Sequence, residues 1–137
     1  MFENKKIWFV VGSQSLYGEE TLKQARADSM EMAQWLGNCP KLPVKVVYKD
    51  LAITSEHILK ICKEANNDDE CIGIITWMHT FSPSQMWIKG LSVLEKPMLH
   101  LHTQYNRDLP WDSIDMDFMN LNQSAHGDRE LKFFFIT

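Results

Sequence analysis

The chain has 137 residues, of which 45 % are hydrophobic and 23 % charged. That suits one domain with one core and speaks against intrinsic disorder. A net charge of −4 with no basic run argues against a nucleic-acid partner, because nothing tracks a phosphate backbone. The apolar stretch at residues 7–11 falls far short of the ~20 residues of a membrane span, so no membrane partner is expected. Cys39, Cys62 and Cys71 lack C-x-x-C spacing and read as reduced, mostly buried thiols of a cytoplasmic protein.

Residues 7–11, IWFVV, are β-branched and aromatic and end at Gly12, which predicts a strand. Residues 19–36 carry Leu22, Ala25, Met30, Ala33 and Leu36 at near-helical spacing, with Gly37 and Pro40 as stop signals. A second strand is expected over 44–48. Thr54 then caps a helix whose apolar stripe is Ile58, Ile61, Cys62 and Ala65. Residues 71–78, CIGIITWM, are apolar almost throughout, as in a strand buried on both faces. Ser82-Pro83 predicts the next helix, with Ser82 as N-cap, Pro83 in its first turn, and Met86, Trp87, Leu91 and Leu94 inward. A fourth strand is expected over 98–102. Residues 112–125 read as one more helix, capped by Asp112 or Ser113, with Ile114, Phe118, Leu121 and Ala125 on one side. For residues 130–137, the run Phe133 to Ile136 favours a strand on propensity.

The alternation β-α-β-α-β-α-β forces parallel pairing. It predicts a single α/β domain over residues 1–137: a three-layer, Rossmann-like or flavodoxin-like open parallel sheet flanked by helices. Ligands of such sheets bind outside the carboxyl ends of the strands. Three polar segments reach that edge, at residues 12–18, 79–83 and 103–106.

The first, GSQSLYG, lacks the G-x-G-x-x-G spacing and the lysine of a phosphate loop, which speaks against a nucleotide or flavin carrier. Ser13 and Gln14 instead offer neutral hydrogen bonds to hydroxyls. His79 follows an apolar strand and is expected to be a structural histidine held by backbone. His100 and His102 share one strand face, but no third metal ligand stands at a useful spacing. Asp112, Asp115 and Asp117 miss the offsets of a calcium loop and read as helix caps. Gln123 and His126, three apart, fall on one helix face. An amide beside an imidazole can grip vicinal hydroxyls of a sugar. A helix end capped by Gly127 accounts for the same residues equally well.

Three blocks carry a more specific likeness: IWFVVGSQSLYG, ITWMHTFSPSQMWIKGL, and KPMLHLHTQYNRDLPWDSIDMDFMNLNQSAHGDRE. Together they resemble the amino-terminal domain of L-arabinose isomerases over roughly residues 7–130. Ser15 stands where that family usually has histidine, and Tyr105 where it has phenylalanine. The ending LKFFFIT departs from the family and reads as a truncation or a shifted frame. The family also favours a helix at that point. The resemblance implies interconversion of L-arabinose and L-ribulose by an oligomeric enzyme assisted by Mn2+. The glutamates and histidines that hold the metal belong to later domains outside this chain, so the isolated chain is expected to be inactive. It further implies sugar contacts, partly across a subunit interface, at Gln14, Leu16, Gln123 and His126. The alternative is a non-catalytic sugar-binding or assembly module.

Overall fold

The computed structural model describes residues 2–135. Its elements run β1 (Lys6–Gly12), α1 (Gly18–Gly37), β2 (Lys45–Ala52), α2 (Ser55–Asn67), β3 (Cys71–Met78), α3 (Ile88–Val93), β4 (Met98–Leu101), α4 (Met116–Leu121) and α5 (Ser124–Phe135). The strands form one parallel sheet in the order β2-β1-β3-β4. Strand alternation divides the core between two faces. Trp8, Val10, Ile74 and Met78 pack with Ile58, Ile61 and Cys62 of α2, with Trp87, and with Leu131 of α5. Phe9, Val11, Ile75 and Trp77 pack with Leu22, Ala25 and Ala33 of α1. The chain is thus a three-layer α/β domain. No described helix is long and apolar enough to cross a membrane.

Local chemistry explains most boundaries. Thr54 Oγ1 accepts the His57 N–H at 3.1 Å and starts α2 as expected. β2 runs on past Tyr48 because Asp50 takes φ 62 as a bulge residue, and its carboxylate accepts the Leu51 N–H at 2.7 Å. Within α1, Met30 is 49 % exposed, and the inward stripe is completed instead by Asp28 and Ser29.

Four expectations need correction. Ser82 does not cap a helix. It is buried, and its hydroxyl accepts the Trp87 indole N–H at 2.9 Å. Pro83 has extended ψ 126 and precedes a short 3-10 turn, Ser84–Met86, that leads into α3. The helix expected over 112–125 is two helices. Asp115, rather than Asp112 or Ser113, caps α4 by accepting the Phe118 N–H at 2.8 Å. Asn122, at φ −109 and ψ 65, ends α4.

Gly127 is not a C-cap but an interior residue of α5, where a Cβ would lie 3.0 Å from Met78 Cβ. Residues 130–135 are helical, as the resemblance implies, rather than the strand that propensity alone favours. The inward stripe of α5 is Ser124, Gly127, Asp128 and Leu131, which has helical spacing. Ile136 and Thr137, the rest of the expected tail strand, lie outside the described residues.

Candidate functional site

The carboxyl edge of the sheet is organised around the two residues that follow β3. Thr80 Oγ1 stands 2.7 Å from Ser13 Oγ, with both side chains buried, and so ties the loop after β1 to β3. The His79 carbonyl accepts the Gln123 N–H at 3.0 Å and the Ser124 hydroxyl at 3.5 Å, which sets the start of α5. The imidazole is itself buried. Its Nε2 lies 2.7 Å from Asp28 Oδ2, and Gln24 Nε2 donates to Asp28 Oδ1 at 2.8 Å. The ring stacks on Trp77 at 4.8 Å and tilts against Tyr105 at 5.4 Å. A carboxylate, not the expected backbone group, therefore holds the His79 ring.

Gln14 is half-buried and precedes the 3-10 turn Ser15–Tyr17, on which Leu16 is 82 % exposed. Gln123 and His126 line one cleft of about 820 Å³ with Gln104, Asn106, Arg107 and Asn122. Gln123 immediately precedes α5 and His126 lies in its first turn, so they do not reach the cleft from the middle of a helix. The Gln123 carbonyl accepts the N–H groups of His126 and Gly127, at 3.1 and 3.2 Å, and its amide donates to Asn120 Oδ1 at 3.3 Å. The exposed His126 ring leans on Phe81 at 4.7 Å. The structure thus brings Gln123 and His126 together. Gln14 and Leu16 stand on a separate loop of the same sheet edge and do not line that cleft.

Sequence spacing missed one constellation. Asp128 of α5 is buried and reaches the histidine pair on β4. His100 Nε2 lies 2.9 Å from Asp128 Oδ1, an ion-pair distance off the line of a hydrogen bond, and His102 Nε2 lies 3.9 Å from Oδ2. His100 Nδ1 shares a hydrogen bond with Thr76 Oγ1 at 2.9 Å. The Met78 N–H donates to Asp128 Oδ1 at 3.3 Å. Burial pushes the Asp128 carboxyl above its ordinary range, against the lowering effect of His100 and His102. The inward stripe of α5 would have found Asp128 had the helix been recognised.

This group does not form a metal centre. Among the described residues, no set of three or more His, Cys, Asp or Glu is placed to hold an ion. The Mn2+ implied by the resemblance therefore has no fitting donor set in them. Burial raises the Cys62 thiol to about 11 and also raises Cys71, so neither is a ready thiolate.

Over residues 1–137 the chain matches the family described as "L-arabinose isomerase N-terminal domain". The chain belongs to that family. Relatives named L-arabinose isomerase include one from Flavobacterium johnsoniae, 61 % identical over 94 % of this chain and 26 % of its own length. Another, from Koribacter versatilis, is 58 % identical over 97 % of this chain and 27 % of its own length. A third, from Geobacillus stearothermophilus, is 60 % identical over 93 % of this chain and 26 % of its own length. The chain spans about a quarter of the length of these relatives. In this domain, Tyr105 carries a hydroxyl that donates to Glu31 Oε2 at 2.6 Å. That bond, more than burial, pushes the phenol up to about 12.

Proposed function

We propose that this chain supplies sugar-contacting and subunit-interface surface for the interconversion of L-arabinose and L-ribulose, through Gln14, Leu16, Gln123 and His126. The observation that carries the reading, for a chain of this family, is the cleft shared by Gln123 and His126. An amide and an imidazole there offer donors and acceptors to neighbouring hydroxyls, on a helix start anchored to β3. Such contacts hold and orient the polyol. The aldose–ketose proton shift itself needs groups beyond the described residues, and Mn2+ is proposed as the cofactor of the complete enzyme only. Leu16, at 82 % exposure, suits a surface covered by a neighbouring subunit in a homo-oligomer. Free cysteines suit a reducing, cytoplasmic setting.

A chimera tests the proposal, with residues 1–130 replacing the matching region of the Geobacillus stearothermophilus relative. We expect an active chimera in which Gln123→Ala or His126→Ala raises KM more than it lowers kcat. Unchanged KM in both variants refutes the sugar contacts. The 137-residue chain alone, given Mn2+ and L-arabinose, is expected to form no L-ribulose. Turnover by that chain refutes the division of labour. The exposure of Leu16 also supports a second reading, an assembly module that touches no sugar. It predicts that the chimera loses oligomeric state in Leu16→Lys while the Gln123 and His126 variants keep their KM.

A further inference from the structure

Two carboxylates of α1, Asp28 and Glu31, each hold a ring at the carboxyl edge of the sheet. They stand three residues apart and so share one helix face. His79 Nε2 donates to Asp28 Oδ2 at 2.7 Å, and the Tyr105 hydroxyl donates to Glu31 Oε2 at 2.6 Å. Both lengths are those of hydrogen bonds to a carboxylate. The two rings held in this way lie against each other, with centroids 5.4 Å apart. Each serves a different part of the cleft lining. The His79 carbonyl accepts the Gln123 N–H at 3.0 Å, and Gln123 leads into the turn of α5 that carries His126. Tyr105 stands between Gln104 and Asn106, which both line the cleft. Trp77 joins the two parts: it stacks on His79 at 4.8 Å, and its indole N–H donates to the Thr103 carbonyl at 2.9 Å.

The Asp28 contact is the stronger constraint of the two. Asp28 is 4 % exposed and the His79 ring is fully buried. His79 Nδ1 has no partner among the described residues, so Asp28 is the one polar anchor of the imidazole among them. Gln24 Nε2 donates to the other carboxylate oxygen at 2.8 Å and fixes its rotation. An apolar side chain at position 28 would fill the same space without desolvating a carboxylate. What the carboxylate adds is direction: it sets where the imidazole, and with it the His79 backbone, must sit. Glu31 is exposed, so its bond to Tyr105 competes with water and constrains less.

We infer that Asp28 and Glu31 are positioning residues for the cleft, a role that rests on the proposed sugar contacts of Gln123 and His126. Asp28 acts through His79 on Gln123 and His126. Glu31 acts through Tyr105 on Gln104 and Asn106. Neither carboxylate lines the cleft, so each works only by holding residues that do.

Two measurements test these roles. Amide hydrogen exchange in the 137-residue chain reads placement without any sugar. Asp28→Ala is expected to speed the Gln123 amide by about ten-fold or more. The amides of the inner strand β1, which open with the fold as a whole, report any general loss of stability. Asp28→Asn keeps an oxygen for the His79 Nε2–H and should restore most of the protection. The second measurement is KM for L-arabinose in the chimera. Asp28→Ala should raise it about ten-fold and lower kcat less, and Asp28→Asn should recover most of the loss. With Gln123→Ala and His126→Ala already in place, Asp28→Ala should raise KM no further. Tyr105→Phe removes one hydroxyl and keeps the ring. It should raise KM about two-fold, as should Glu31→Ala, and the two combined should do no more than either alone. A Gln123 amide that speeds no more than those of β1 overturns the Asp28 role, as does an unchanged KM in Asp28→Ala where Gln123→Ala raises it. Effects of Tyr105→Phe and Glu31→Ala that multiply when combined, or that are both absent, overturn the Glu31 role. Unchanged KM in Gln123→Ala and His126→Ala is instead the failure of the sugar reading, told apart because the Gln123 amide still speeds in Asp28→Ala.

Discussion

The buried hydroxyl pair Ser13–Thr80 offers the sharpest test of how the carboxyl edge is held. The two oxygens lie 2.7 Å apart, and both residues are fully buried. Neither side chain has water to fall back on, so removing one hydroxyl strands the other. Leaving a buried polar group unpaired costs ~1–3 kcal/mol. Thr80→Val changes shape least and strands the Ser13 hydroxyl; Ser13→Ala strands that of Thr80. Each single variant is expected to lose stability in that ~1–3 kcal/mol range. The double variant removes donor and acceptor together and should lose clearly less than the sum, with a coupling of about 1 kcal/mol or more. The backbone stays in place, because Ser13 N–H still donates to the Ala52 carbonyl at 3.2 Å. Urea unfolding of all four proteins, followed by far-UV dichroism, measures the cycle. Additivity within ~0.5 kcal/mol refutes the claim that this pair locks the first loop to β3.

Other consequences follow from the same structure. Ser82→Ala leaves the Trp87 indole N–H, bonded at 2.9 Å, without its acceptor in a dry core, and a loss of ~1–3 kcal/mol is expected by urea unfolding. Gly12→Ala puts a Cβ against Met78 Sδ and 2.7 Å from the Ser82 side chain, so overpacking should cost ~1–3 kcal/mol and lower the melting temperature. Burial raises the Asp128 carboxyl, so the fold holds that proton more tightly than the unfolded chain does. The benefit is complete below the unfolded value of ~3.9 and is lost as pH rises through the folded value. Asp128→Asn should therefore melt above the parent chain at pH 7 and converge with it in acid. A variant that melts lower at pH 7 contradicts that sign.

What could be read from the residues depended on whether apolar pattern or polar tertiary contact sets the structure. β3 was legible because CIGIITWM is buried on both faces and needs no partner chemistry to be recognised. α2 was legible because Thr54 caps it and four apolar residues repeat at helical spacing. α5 was not, because its inward stripe is mostly Ser124, Gly127 and Asp128, which no hydropathy pattern marks as buried. Ser82-Pro83 misled for a related reason. A serine before a proline looks like a cap, but the Trp87 indole, five residues on, claims that hydroxyl. The break at Asn122 was equally hidden, since the next residue, Gln123, is bonded to the carbonyl of His79, just past the end of β3.

That last contact bears on how firmly the proposed sugar residues are held. The tip of β3 reaches two segments at once: Thr80 binds the loop that carries Gln14, and the His79 carbonyl binds Gln123 and Ser124. The tip cannot shift easily, because the His79 ring is closed in by Trp77, Tyr105 and the Asp28 carboxylate of α1. Side chains that must meet a small polyol within a fraction of an ångström belong on such a frame, not on loops that order themselves around the ligand. Gln14 and Gln123 are far apart in sequence, yet Ser13, next to Gln14, bonds Thr80, and Gln123 bonds the adjoining His79. A displacement of β3 at His79 must then move both segments together, so damage at the tip should weaken both proposed contacts at once.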